Sequence, residues 1–218
     1  MYSAIKTNSA QRITEVRESL DFFAPLIPPA PTATPRHLNT SKGLIFVQLY
    51  GVIEFTIYTT VAKTIDLINS DLVNLQDLKP FVWGMALNSN LDTLSQANRK
   101  KWDKRIELFQ KYVDNGAAYI ATDIMPTNGE NYNFPQLTSI WKNFSISEPI
   151  FNDNTFRGRL QEIVSNRINI AHGNYSAAEV GSRVTPADLY VRIVEVSNFC
   201  SYFISVFEDY SSNKKFRK

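Results

Sequence analysis

Apolar side chains recur three and four residues apart in several stretches of the chain, which is the spacing of one face of an α-helix. This pattern predicts helices over residues 9–23, 92–114, 154–173 and 185–210. A further stretch, 40–69, is almost continuously apolar at its centre, so we expect a core helix that other helices cover on several sides. Strict apolar/polar alternation is nearly absent, and the predicted fold class is all-α.

Turn-forming residues divide these helices. Prolines between residues 24 and 35 end the first helix, because proline lacks a backbone N–H and restricts the residue before it. Thr40 or Ser41 is expected to cap the long second helix. Residues 71–87 predict a shorter helix that is interrupted near Pro80.

The last two helices have clearer boundaries. Gly173 is expected to end the helix that precedes it, since glycine readily adopts the left-handed conformation common after a helix. Thr185, Pro186 and Asp188 then have the spacing of a helix N-terminus with a capping residue, a proline and an acidic third residue. The final helix should therefore begin at residue 185 or 186.

Residues 115–154 lack the helical pattern and contain several turn-forming residues, namely Gly116, Pro126, Gly129, Pro135 and Pro149. One short helix at 136–144 is predicted there, and a small strand or strand pair at 118–122 is compatible with the pattern. We therefore predict one domain over residues 1–218, with an irregular insert at 115–154 and a basic tail at 211–218.

The composition limits the kinds of functional site that the chain can form. The 218 residues are 44% hydrophobic and carry a formal net charge of +2, with basic clusters at 98–105 and 214–218. Such clusters are more often a solvated helix face or a frayed terminus than a nucleic-acid contact. A single cysteine, Cys200, and two histidines cannot form a disulfide framework or a zinc site, so neither a metal nor a cofactor is predicted.

Two features concern location. The first eight residues lack the apolar segment and cleavage site of a secretory leader, so a cytoplasmic location is expected. The apolar stretch between Leu44 and Ala62 is long enough to raise the possibility of a membrane span. Gln48, Glu54 and three threonines make that stretch too polar for lipid, and we favour a buried helix without membrane contact.

Arg167 and His172 are the candidate catalytic residues. Metal-free RNA cleavage needs a proton-exchanging group and a fixed positive charge for the phosphate, which histidine and arginine provide. The two residues lie about 140° apart on an ideal helix, so a site that uses both needs a second element. Taken alone, an Arg–Glu core pair and a histidine that stabilises a helix C-terminus explain the same residues better.

The stretch Arg-Ile-Asn-Ile-Ala-His-Gly at 167–173 nevertheless resembles the Arg-x4–6-His motif of HEPN domains. The apolar segment 44–54, with a tyrosine and Glu54, is similar to the helix with a buried glutamate in the MAE-type branch, and 185–188 resembles that branch's entry to the last helix. The resemblance covers most of the chain in order and spacing, although only the Arg-to-His motif is specific.

This resemblance implies a helical bundle that forms a homodimer, with two copies of Arg167 and His172 in one composite ribonuclease site. It further implies an RNA product with a 2′,3′-cyclic phosphate, and the role of a toxin with an antitoxin partner or of a phage-defence protein. A non-catalytic HEPN-type module that binds nucleotides or proteins is the alternative.

Three further residues are candidates for supporting roles. Asn166 and Asn169 flank Arg167 and Ile168, whereas many members of the family have a polar residue directly after the arginine. Either asparagine could orient the phosphate. Glu54 is expected to reach Arg167 or His172, because a carboxylate in an apolar helix needs a partner; a bond to a nearby hydroxyl is an equal alternative.

Overall fold

The structure is a computed structural model that describes residues 1–97, 99–127 and 131–218. Asn98 of the first basic cluster and Gly129 of the predicted insert lie outside the described residues. Within the described residues the α-helices are α1 (Ser3–Phe23), α2 (Arg36–Ser70), α3 (Trp83–Ala86), α4 (Asn88–Gln96), α5 (Lys101–Val113), α6 (Phe134–Phe144), α7 (Phe156–Ala171), α8 (Ala177–Gly181) and α9 (Pro186–Ser212). Short 3₁₀ turns lie at Ala24–Leu26, Leu75–Asp77 and Pro80–Val82. The all-α prediction is confirmed.

Helix α2 is the centre of the bundle and contacts α1, α7, α8 and α9. By length and composition it could cross a membrane, and a little over half of its most apolar segment is buried inside the protein. The expectation of an apolar helix covered on several sides is thus confirmed.

Aromatic rings fill the space between α9, α6 and α7. Phe199 stacks on Phe156 of α7 with ring centroids 4.8 Å apart, and Phe207 meets Trp141 and Phe144 of α6 edge to face. Phe203 stacks on Phe207 at 4.8 Å. Such ring pairs stabilise the fold beyond the apolar area that they bury, so the last helix joins the irregular region to the core.

The predicted cap of α2 is wrong. The helix begins at Arg36 after Pro35, and the hydroxyls of Thr40 and Ser41 donate instead to the carbonyls of Arg36 and His37, both at 3.1 Å. Hydroxyl side chains inside a helix commonly bond back to the carbonyl four residues earlier. Helix α2 therefore begins directly after the proline segment, about one turn earlier than the predicted cap.

Two other predicted helices are broken. Residues 92–114 form α4 and α5, separated by a turn in which Lys100 adopts a φ of 60°, a left-handed conformation that an α-helix cannot contain. Residues 71–87 hold two 3₁₀ turns and the four-residue α3. Buried side chains such as Leu75, Leu78 and Val82 anchor these turns to the core, which favours tertiary contacts over a continuous helix.

The insert contains no strand in its described part. Ala117 forms an isolated bridge with Asn74, and residues 118–122 are irregular, so the prediction of a small strand there is wrong. The side chain of Asn69 provides the hydrogen bonds that a strand partner would otherwise make, because it accepts from the backbone N–H of Ile120 and donates to the carbonyl of the same residue. The short helix predicted at 136–144 is confirmed as α6.

The basic C-terminal tail is docked rather than frayed. Phe216 is 1% exposed and packs against Tyr210, and the side chains of Lys214 and Arg217 form ion pairs with Asp71. These two cations lower the pKa of Asp71, chiefly through the hydrogen bond from Lys214. The charges of the tail are thus used within the fold.

We expect the Phe216→Ala substitution to lower the free energy of unfolding by about 3 kcal/mol, because it leaves a ring-sized cavity beside Tyr210. Urea denaturation followed by circular dichroism measures this loss. Phe22→Ala is the matched control, since Phe22 is 80% exposed and its removal should cost little. Equal effects of the two substitutions would show that the tail is not part of the core.

Candidate functional site

An ion-pair network fixes α7 against α9. The guanidinium of Arg192, 9% exposed, donates to Glu162 at 2.8 Å and lies 3.4 Å from Glu195, while Arg159 pairs with both carboxylates. The Arg–Glu core pair that was the alternative explanation for Arg167 is therefore formed by Arg192. Arg167 makes no ion pair with an acidic side chain among the described residues.

Arg167 lies half-buried between α2 and the segment that precedes α6. Its Nη1 donates to Oδ1 of Asn131 at 2.7 Å, and its Cζ lies 4.6 Å from the centroid of the Tyr50 ring. Asn131 is its hydrogen-bond partner within the described part of the chain, and a guanidinium carries five N–H donors. The guanidinium is thus held in place yet can still bind an anion.

A buried phenol, Tyr50, lies against the guanidinium, and a second buried tyrosine, Tyr132, bonds to the first. The hydroxyl of Tyr50 accepts from the backbone N–H of Tyr132 at 3.2 Å. Burial raises the pKa of Tyr50, and burial followed by the charge of Glu54 raises the pKa of Tyr132 to about 12. Both phenols are therefore neutral at physiological pH, and the positive charge of Arg167 is not cancelled by a phenolate.

The structure does not bury Glu54 as the sequence predicted. Its side chain is exposed on the outer face of α2, one turn after Tyr50. Among the described residues no hydrogen bond or ion pair joins Glu54 to Arg167 or His172. Glu54 acts on the neighbouring tyrosines through its charge alone, because it raises the pKa of both Tyr50 and Tyr132.

His172 is the C-cap of α7 and is exposed. Its backbone N–H donates to the carbonyl of Ile168 at 2.9 Å, and Gly173 then turns the chain with a φ of 72°. The predicted helix stop at Gly173 is confirmed. No hydrogen bond links the His172 ring to Arg167, so within the described part of one chain the imidazole is open to solvent.

Asn169 positions the loop that follows His172. Its side-chain oxygen accepts from Asn174 at 3.3 Å, and its backbone carbonyl accepts from the N–H of Tyr175 at 3.3 Å. The guanidinium of Arg183 covers the Tyr175 ring at 4.4 Å. Asn166, in contrast, is half-buried on α7 beside Arg167, and none of the described hydrogen bonds involves its side chain.

The end of the loop is fixed to α2 by a close backbone contact. A Cβ atom added to Gly181 would lie 1.8 Å from the carbonyl oxygen of Asn39, and one added to Gly43 would lie 2.0 Å from that of Ala177. The Nζ of Lys42, which is buried, donates to the carbonyl of Val184 at 2.8 Å. Helix α8 can therefore pack on α2 only because each helix has a glycine at the contact, Gly181 in α8 and Gly43 in α2.

No group of three or more His, Cys, Asp or Glu side chains is arranged to hold a metal ion in the part of the chain that the structure describes. Cys200 is buried, and burial raises its pKa to about 11, so this thiol is unsuited to be a nucleophile.

A family model described as MAE_28990-like HEPN matches residues 3–216. The chain belongs to this HEPN family. No curated protein and no solved structure matches it. Many HEPN domains are ribonucleases, and this HEPN chain carries both residues of the Arg-to-His motif, Arg167 near the end of α7 and His172 at its C-cap.

The sequence did not reveal two residues that shape the site of this HEPN domain. Asn131 and Tyr132 lie in the irregular insert, where asparagines are frequent and no periodicity singles out these positions. Tyr50 appeared only as part of the apolar helix that resembles the family. The sequence around Asn131 contains no signal that distinguishes it from the other asparagines of the insert.

Proposed function

We propose that this protein is a metal-independent endoribonuclease that uses Arg167 and His172. The observation that carries the proposal is the guanidinium of Arg167, fixed by Asn131 and the Tyr50 ring, followed five residues later by the solvent-exposed imidazole of His172. Arginine binds phosphate oxygens in a planar, two-point contact, and an imidazole exchanges protons near neutral pH. The family membership supports the same chemistry.

In the proposed reaction the 2′-oxygen of the substrate forms a bond to phosphorus while the bond from phosphorus to the 5′-oxygen breaks. One histidine takes the proton of the 2′-hydroxyl, and the leaving 5′-oxygen receives a proton, giving a 2′,3′-cyclic phosphate and a 5′-hydroxyl. Arg167 stabilises the charge that develops on the phosphorane oxygens. A fixed donor of this kind commonly contributes on the order of a hundredfold or more in rate.

We further propose that the complete site forms at a homodimer interface. Arg167 points to α2 and the insert, whereas His172 lies at the exposed end of α7, and no contact joins the two side chains in one chain. A twofold axis would supply the second histidine, so that one imidazole could act as base and the other as acid.

Supporting roles are proposed for two of the three candidate residues. Asn166 lies next to Arg167 and is the better candidate for a phosphate contact, because the side chain of Asn169 is bonded to Asn174. Glu54 is proposed to act on this region through its charge, which after burial contributes to the raised pKa of Tyr50 and Tyr132, rather than to orient Arg167 directly.

The experiment that tests the proposed function is cleavage of a labelled RNA by the purified protein in excess EDTA. We expect cleavage by the wild type and products that end in a 2′,3′-cyclic phosphate. His172→Ala should lose the activity without losing the fold. RNA binding without cleavage would favour the non-catalytic module instead.

The proposed cellular role is that of a cytoplasmic toxin with an antitoxin partner, or of a phage-defence nuclease. This role rests on the family and on the proposed activity. Expression of the wild type should arrest growth and degrade cellular RNA together, whereas the His172→Ala protein should do neither. Growth arrest by both proteins would contradict this role.

A charge placed beside Arg167 should weaken substrate binding. Asn131→Asp would convert the 2.7 Å contact into a charge-assisted bond that competes with the RNA phosphate, and we expect the KM for RNA to rise by about tenfold. Asn131→Ala, which removes the contact without adding charge, should have a smaller effect. The outcome that contradicts this prediction is an unchanged KM in the aspartate variant.

A further inference from the structure

Helix α5 carries an apolar stripe that the rest of the described chain leaves uncovered. Trp102, Ile106, Phe109 and Val113 are 73%, 64%, 68% and 66% exposed. The sequence pattern predicted these residues on the apolar side of an amphipathic helix, and in the structure that side is exposed. The opposite side of the helix packs on the body instead, through the contact of Tyr112 with Trp83 and the bond from Lys111 to Asn90.

The spacing of the stripe is four, three and four residues, which is the narrow seam of a two-helix coiled coil. The polar side of α5 carries charges of both signs, Asp103 and Glu107 beside Lys104, Arg105 and Lys111, as on the solvated side of a paired helix. The seam is therefore shaped for one further helix.

We propose that this helix is α5 of a second copy of the chain, packed antiparallel. In that arrangement Trp102 meets Val113 of the second copy and Ile106 meets Phe109, so each layer joins a larger side chain to a smaller one. The four layers are related in pairs by a twofold axis between residues 107 and 108, as an isologous interface requires.

Charge selects the antiparallel direction. Arg99, Lys100 and Lys101 lie at the start of α5, whereas Asp114 follows its end. Antiparallel pairing places each basic end near the carboxylate and the partially negative helix C-terminus of the other copy. A parallel pair would bring the two basic ends together.

The exposed area is sufficient for a modest dimer. The four side chains, two of them aromatic, offer roughly 500 Å² per copy and hence about 1,000 Å² in total, near the lower limit for a specific interface. We therefore expect association at micromolar concentrations.

This interface is separate from the proposed catalytic site. Tyr112 and Asn115 bond to Gln76, just after the C-terminal end of α2, whereas Arg167 contacts Tyr50. Residues 50 and 70 of one helix are about 30 Å apart. Variants on α5 should therefore change assembly and leave cleavage of RNA intact.

Molar mass measured by light scattering at tens of micromolar tests the interface. Phe109→Glu should halve the mass relative to the wild type, because it places two carboxylates in the seam. Val191→Glu is the matched control, since Val191 on α9 is also half exposed and should leave the mass unchanged. Equal masses of the wild type and Phe109→Glu would overturn the proposal.

Cysteine pairs test the direction of packing. A mixture of Ile106→Cys and Phe109→Cys proteins should cross-link with a short thiol reagent more efficiently than either protein alone, and the buried native Cys200 should not react. Stronger cross-linking of Ile106→Cys with itself would contradict the antiparallel arrangement. A wild type that has the same molar mass as Phe109→Glu and binds anionic vesicles through α5 would show that the occupant is a membrane and would overturn the proposal.

Discussion

Replacement of Gly181 with alanine is expected to lower the free energy of unfolding by about 3 kcal/mol or more. The added Cβ would lie 1.8 Å from the carbonyl oxygen of Asn39 and 2.7 Å from the backbone nitrogen of Gly43. Both atoms belong to the backbone of α2, so no side chain can rotate away. Helix α8 would have to withdraw, and the bond from Lys42 to Val184 would stretch with it.

Chemical denaturation of wild type and variant measures this loss. Gly51→Ala is the matched control, because it lies in the middle of α2 with nothing within 4 Å of its added Cβ. In that open helical position alanine should stabilise the protein by about 0.5–1 kcal/mol. Opposite signs for the two substitutions are therefore expected. If Gly181→Ala were as stable as the wild type, the close approach of α2 and α8 would be wrong.

The second large effect is expected at Arg167. Arg167→Ala should reduce single-turnover cleavage of RNA by on the order of a hundredfold to a thousandfold, because it removes the fixed charge at the phosphate. Arg167→Lys keeps a charge but loses the planar fork that bonds Asn131 and stacks on Tyr50. Its rate should fall by about tenfold or more, since lysine cannot replace a two-point contact.

Helix α7 offers a matched control for this substitution. Arg157 also covers an aromatic ring, with its Cζ 3.9 Å from the centroid of the Phe134 ring, but it lies outside the motif. Arg157→Ala should leave the cleavage rate within a few-fold of the wild type. Similar losses in the two variants would mean that Arg167 acts through the stability of α7 and not on the phosphate.

Local sequence patterns predicted much of the fold. The capping box at Thr185 and Asp188 marks the start of α9 correctly, and both residues make the two reciprocal bonds. Gly173 ends α7 as expected, and the apolar stretch around Leu49 and Ile53 is the core helix α2. These features depend on contacts within one or two turns, so the sequence alone specifies them.

The structure differed from the sequence-based expectations where the outcome depended on contacts between residues far apart in the sequence. The pattern of α5 is amphipathic whether its apolar side meets the core or a second chain, so its exposure was not predictable. In the same way Glu54 lies in an apolar stretch but faces outward, because α2 is buried on the sides that contact α1, α7, α8 and α9. A sequence pattern shows that a helix has two faces but not which neighbour covers each.

The sequence by itself determined the helical class, the caps of the last helices and the Arg167-to-His172 motif with its family resemblance. Only the tertiary structure placed Tyr50 and Asn131 against the guanidinium and Tyr132 against Tyr50. These residues are separated from Arg167 by tens of positions along the chain, and they meet because α7 and the insert both pack on α2. The spacing of apolar residues indicates the local conformation of a segment. Contacts between distant residues, such as those of Arg167, depend instead on how all the segments pack together.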